Sequence, residues 1–239
     1  MKPDDPQSPP RRHALKWAAA LSATWLAASP LLCSTQKFRS DPFQMGVASG
    51  APSEDGFVIW TRLLGLPSVA SQPVQVKWEV LEDAAPHAPI AQGVVETSAE
   101  IGFSVHVEPS GLQPDRWYRY RFSAGGFQSA MGRTRTLPSA SASPASLRLA
   151  YASCQRWEDG YFSAYTQMLR DAPDLVVFLG DYIYEYATRR SRNAVRSHTL
   201  AHARSLDDFR NRYALYRSDR LLQRMHAACP WLVTWDDHE

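Results

Sequence analysis

Leu175-Val176-Val177-Phe178-Leu179-Gly180-Asp181-Tyr182-Ile183-Tyr184-Glu185 decides how this chain reads. A near-continuous apolar run is the pattern of a strand buried on both faces of a parallel sheet. Its carboxyl end is where open α/β sheets collect ligands. Two other segments repeat the design: Leu147–Ser153 leads into Cys154, and Trp231–Trp235 leads into Asp236-Asp237-His238-Glu239. Three strand ends carrying a thiol, a carboxylate and a carboxylate–histidine pair predict a metal site at one sheet edge. Between them, Gly160–Arg170 reads as a helix with Phe162, Tyr165, Met168 and Leu169 on one face, stopped by Pro173. Ser205 is the expected N-cap of a second helix, with Asp208 in its first turn and Leu206, Phe209, Tyr213 and Tyr216 on one face. A short helix is expected over Arg220–Ala227. This β-α-β-α-β order predicts an α/β domain over 147–239, of which only the first part is present.

Upstream the period changes to two. Phe43–Ala48, Gly56–Leu63, Val74–Leu81, Gln92–Thr97, Ser104–Val107 and Trp117–Phe122 read as strands separated by turn residues. Lys77 and Glu79, like Arg119 and Arg121, put charge on one face and apolar residues on the other. Gly111–Tyr118 looks like the turn-then-tyrosine approach to a late strand of a fibronectin-type sandwich. The expected fold class is therefore mixed: an N-terminal β-sandwich of fibronectin or immunoglobulin type at 38–138, then α/β. Residues 139–146, nearly all Ser, Ala and Pro, read as the linker.

Residues 1–33 read as an address. Arg11-Arg12-His13-Ala14-Leu15-Lys16 fits a twin-arginine signal, and the uncharged, Ala-rich Trp17–Leu32 run suits a signal core better than a membrane anchor. Export of an already folded protein fits a metal enzyme. The 26 basic and 24 acidic residues of this 239-residue chain give no case for nucleic-acid binding. Arg189, Arg190, Arg192 and Arg196 lack the interleaved aromatics of a single-strand platform and read as part of a solvated loop over Ala187–Arg204.

Each candidate residue has two readings. Asp181 after Gly180 can bridge two cations or simply form a turn. Tyr184 can pack, or bind as a phenolate, which needs a strongly acidic ion because a phenol ionises near pH 10. Cys154 can be a ligand, an inert core thiol or the partner of Cys229 in a disulfide. Because Cys229 precedes its strand while Cys154 follows one, the ligand reading is favoured. Asp236 and Asp237 repel each other unless a cation neutralises them, and His238 can serve a phosphoryl oxygen or a leaving group. As an exposed acidic chain end they need no ligand.

Phe43–Gly50, Trp60-Thr61-Arg62, Ser153-Cys154-Gln155, Gly180–Glu185 and Trp235–Glu239, behind a twin-arginine signal, resemble the alkaline phosphatase D family over nearly the whole chain. The resemblance implies an α/β/β/α metallophosphatase domain in an exported, periplasmic or secreted enzyme. It implies alkaline hydrolysis of phosphate monoesters, and of diesters as well, with Fe(III) and Ca(II). Cys154 and Tyr184 would bind iron, Asp181 would bridge, and the Asp236–Asp237 pair would supply a calcium-side ligand, with His238 catalytic. A monomer is expected, with the phosphate ester and the twin-arginine machinery as partners. Family members continue past this point with further ligands, so this chain is expected to be inactive alone. The competing reading is a non-catalytic exported binding module.

Overall fold

Asp41 Oδ1 accepts the Phe43 amide at 2.8 Å, and the Gly46 amide donates to the Phe43 carbonyl at 2.9 Å, with Gly46 at φ +68°. This turn spends the apolar Phe43–Met45 stretch, so strand β1 begins later than its sequence suggests, at Val47–Gly50. A computed structural model describes residues 38–66, 72–188 and 194–239. The signal reading of 1–33 and the arginines Arg189, Arg190 and Arg192 lie outside the described residues.

From β1 the chain continues through β2 (Val58–Arg62), β3 (Val74–Glu82), β4 (Pro89–Thr97), β5 (Ser104–Val107), β6 (Trp117–Ala124), β7 (Phe127–Gln128) and β8 (Gly132–Arg135). After β9 (Leu149–Ala152) come α1 (Ala164–Asp171), β10 (Leu175–Phe178), α2 (Leu206–Arg217), α3 (Arg220–Ala228) and β11 (Trp231–Val233). The strands form two sheets. One runs β4-β3-β6-β7, with β8 also paired to β6; the other runs β5-β2-β1-β11-β10-β9. The second sheet therefore continues across residues 139–146. Its joint is parallel, with Gly50 opposite Trp231. A Cβ on Gly50 would lie 2.7 Å from the Trp231 carbonyl oxygen, so close backbone approach requires glycine there.

Alternation sorts the side chains. Val47, Ile59 and Val105 from one sheet meet Val76, Val80, Tyr120 and Phe122 from the other in a shared core. The Tyr118 hydroxyl donates to the Gln113 carbonyl at 3.2 Å and accepts the Gln113 amide at 2.9 Å, pinning the turn before β6. A second core forms where Val176, Phe178 and Trp231 pack under α1, α2 and α3 against Tyr165, Tyr216, Leu222 and Met225.

Two expectations are corrected here. Strands β9–β11 are not buried on both faces: Leu149, Tyr151 and Leu232 point away from the helices and are 52%, 77% and 42% exposed. In addition, Leu206 at the start of α2 faces out, while Phe209, Tyr213 and Tyr216 turn inward. Ser205 does cap α2. Its side chain accepts the Asp208 amide while Asp208 accepts the Ser205 amide, closing a capping box.

Candidate metal centre

The parallel pairing of β9 with β10 and β10 with β11 brings three strand ends side by side. The loops beyond them are laced together. The Cys154 amide donates to the Gly180 carbonyl and the Gln155 amide to the Asp181 carbonyl, each at 3.2 Å. Gln155 Nε2 donates to the Tyr182 carbonyl at 2.9 Å, and Tyr165 donates to Gln155 Oε1 at 2.6 Å. Cys154 and Asp181 both hold positive φ, +56° each. Non-glycine residues rarely adopt this conformation, and it recurs where a loop must aim a side chain. Gly180, at φ +100°, is irreplaceable for a second reason: a Cβ there would sit 2.5 Å from the Asp236 Cβ.

Asp181 is 8% exposed. Its Oδ2 accepts the Tyr184 hydroxyl at 2.8 Å, while Oδ1 is buried without a hydrogen-bond partner among the described residues. An orphaned buried carboxylate oxygen is costly unless something positive faces it. Asp181, Asp237 and His238 each present a ligand atom within 4.8 Å of the others. Donor chemistry and the orphaned oxygen together fit a bound cation.

His238 Nδ1 lies 2.8 Å from Glu185 Oε2, and its ring packs tilted against Tyr184 with centroids 4.4 Å apart. Partial burial pulls its pKa down, but the Glu185 hydrogen bond and charge, with Asp181 and Asp237, push it above the ordinary value. The Tyr184 phenol is raised, first by burial and then by its bond to Asp181, with Cys154 close enough to contribute. Arg156 lies over Tyr184 and Tyr186, at 4.9 and 4.7 Å.

The structure thus gathers Asp181, Tyr184, Asp237 and His238, while Cys154 stands outside the Asp181–Asp237–His238 cluster and is exposed. Asp236 stands outside that group: its amide donates to Glu239 Oε2 at 2.8 Å, and its side chain sits over Gly180. Cys154 is exposed and Cys229 buried, both free thiols, which removes the disulfide reading. Burial pushes the Cys229 thiol up to about 12. Sequence reasoning missed Glu185 as the partner of His238, Glu239 as acceptor of the Tyr182 amide, and Tyr216 beneath Tyr184. Glu185 was within sight, four residues after Asp181; the other two contacts leave no local signal.

Two further histidines are held neutral. His226, fully buried against Trp231 with Nε2 2.8 Å from the Tyr182 hydroxyl, is depressed well below the ordinary value by burial and by Arg217. His198 is lowered to about 4, first by burial and then by Arg212, against the opposing charge of Glu158. Histidines with a folded pKa below the unfolded value take up protons on unfolding, so their stability is full above about pH 6.5 and is lost as pH falls. His238, raised, runs the other way. Below about pH 6.5 His238 is charged in both states and adds no slope, so denaturant midpoints should fall between pH 6.5 and 5, with a limiting slope of about 2.7 kcal/mol per pH unit for the two histidines. A flat or rising profile would mean that His226 and His198 are not both held neutral.

The ends of the parallel strands present carboxylate, phenol and imidazole groups, a donor set of the kind found in metal-binding α/β proteins. Residues 149–239 match the PhoD-like phosphatase family, and residues 26–138 match the PhoD-like phosphatase N-terminal domain. The chain belongs to the PhoD-like phosphatase family. It is 46% identical over 209 residues to alkaline phosphatase D of Bacillus subtilis (strain 168), covering 84% of this chain and 36% of that protein. A solved structure of PhoD superposes with a TM-score of 0.80 at 45% identity, covering 84% of this chain and 40% of the other. The chain thus spans well under half the length of the relatives it matches.

Proposed function

We propose that this chain carries the amino-terminal portion of an exported phosphate-ester hydrolase that works at alkaline pH on monoesters, and on diesters as well. The observation that carries the reading is the orphaned, buried Oδ1 of Asp181, a residue clustered with Asp237 and His238 beyond the ends of parallel strands. In this reading Asp181, Cys154 and Tyr184 would hold Fe(III), and Asp181 with Asp237 of the Asp236–Asp237 pair would hold Ca(II). When bound, the ion pair polarises the phosphoryl group and lowers the pKa of coordinated water.

The side chains do the rest. Tyr184 must release the proton it now donates to Asp181. Glu185 fixes His238 through Nδ1 and leaves Nε2 free to donate to a phosphoryl oxygen or to the departing alcohol. The shared core of the two sheets and the Tyr118 bond to Gln113 support reading 38–138 as a sandwich of fibronectin type, with 147–239 as the first part of the metallophosphatase domain.

A chimera tests the reading. This chain continued by the remainder of the Bacillus subtilis relative should hydrolyse an aryl phosphate at alkaline pH, and a chelator should abolish turnover. A folded chimera that binds no metal and shows no turnover would overturn the assignment. Export is tested separately. Among the described residues no helix is long and apolar enough to cross a membrane. Replacing Arg11 and Arg12 by lysine should leave precursor in the cytoplasm; unchanged appearance outside would exclude the twin-arginine route.

A further inference from the structure

Between α2 and the outer face of β1, β2 and β5 runs a groove of about 580 Å³, within the size range of small-molecule sites. Its apolar walls include Trp60, Phe209 and Tyr213, and at its mouth Trp235, Leu206 and Val233 are 81%, 66% and 46% exposed. Large apolar side chains clustered at one opening are uncommon on a surface with no partner.

The polar groups around it share one sign. Arg62, Arg210 and Arg217 line the groove, and no aspartate or glutamate does. Arg62 spends Nε on the Gly102 carbonyl and Nη1 on the Arg210 carbonyl, both at 2.8 Å, and forms no ion pair with a described residue. Arg217 is 5% exposed and lies 5.0 Å over the Trp60 ring. Its Nη2 donates to the Met45 and Val47 carbonyls, while Nε and Nη1 have no partner among the described residues. Arg210 donates through Nη2 to the Glu100 carbonyl, and its one ion pair among the described residues, with Asp207 at 3.4 Å and 83% exposed, is worth little in water. Burial and the charge of Arg210 lower the Arg62 pKa, against the weaker opposing charge of Asp207. A half-buried arginine lacking a carboxylate retains an unmet electrostatic demand that an incoming anion can satisfy.

We propose that this groove binds a small organic acid: one carboxylate on an aromatic or aliphatic body, the body against Trp60, Phe209 and Trp235 and the carboxylate toward Arg62 and Arg217. Aromatic walls and a single cluster of cations suit such a molecule better than a highly charged, fully hydrated anion. A bound acid would touch Trp235, the residue before Asp236, and so would rest against the loop that carries Asp237 and His238.

Calorimetric titration of the metal-free chain with 1-naphthoate and with its neutral counterpart 1-naphthalenemethanol tests the idea. Naphthoate should bind at least about tenfold more tightly, the scale of one charge-assisted contact. Arg62→Gln should erase that preference while leaving the alcohol unchanged. Trp235→Ala, at an exposed position that the fold does not need, should weaken both probes severalfold. Equal affinities for the two probes, a preference that survives Arg62→Gln in folded protein, or affinities untouched by Trp235→Ala would each overturn the proposal. So would a dimer closed over Trp235 that naphthoate does not dissociate.

Discussion

Asp181→Asn in the chimera is expected to lower turnover by at least ~10²-fold, the loss of several kcal/mol of stabilisation at the reacting phosphoryl group. The substitution keeps the shape and the Tyr184 contact on Oδ2. It removes the charge that makes the orphaned Oδ1 a cation ligand, so metal content should fall together with rate. Metal analysis of the purified variant separates the alternatives. Full metal loading with normal turnover would show that Asp181 is a turn residue and that the donor set lies elsewhere. Stability should be nearly unchanged or slightly raised in the metal-free state, because an amide is cheaper to bury than an unpaired carboxylate.

Tyr216→Phe is the second large effect, and it acts on stability. The Tyr216 hydroxyl accepts the amides of Trp157 and Tyr184, each at 3.1 Å, and lies 3.1 Å from His198 Nε2. A phenol has one proton and two lone pairs, and here all are used. Burial keeps it protonated, with its pKa raised to about 12. Removing it strands two buried amides at about 1–3 kcal/mol each, a large share of the ~5–15 kcal/mol that holds a domain folded. Urea denaturation should register a loss of about 2–5 kcal/mol, and amide exchange should quicken at Trp157 and Tyr184. Unaltered exchange at both amides would show that water replaces the hydroxyl at no cost.

The parts of this molecule that follow local rules were legible in its sequence. The capping box at Ser205 and Asp208 could be read from two residues, because a helix start is decided within one turn. The ends of β9 and β10 announced Cys154 and Asp181 because apolar runs stop where a loop must expose polar groups. What could not be read was partner choice. Nothing in Val47–Gly50 says that it will lie parallel to Trp231–Val233, since strand pairing is settled by the packing of the whole sheet. Strand β8 was hidden because Gly132-Arg133-Thr134-Arg135 carries no aliphatic residue. It is held instead by pairing with β6, by Arg133 stacked 3.7 Å over Trp117, and by ion pairs from Arg133 to Asp83 and Arg135 to Asp174. Glu185 and Tyr216 escaped for the same reason: their value lies in contacts made across the fold.

The joint between Gly50 and Trp231 also sets a timetable. It ties together residues near the two ends of the described chain, and such contacts form only after the entropy of closing a very long loop has been overcome. The six-stranded sheet therefore cannot close on a growing polypeptide until Trp231–Val233 has left the ribosome. In that interval the unpaired edges of β1 and β10 are open to wrong partners. A sheet built this way gains from any step that shields those edges until β11 arrives.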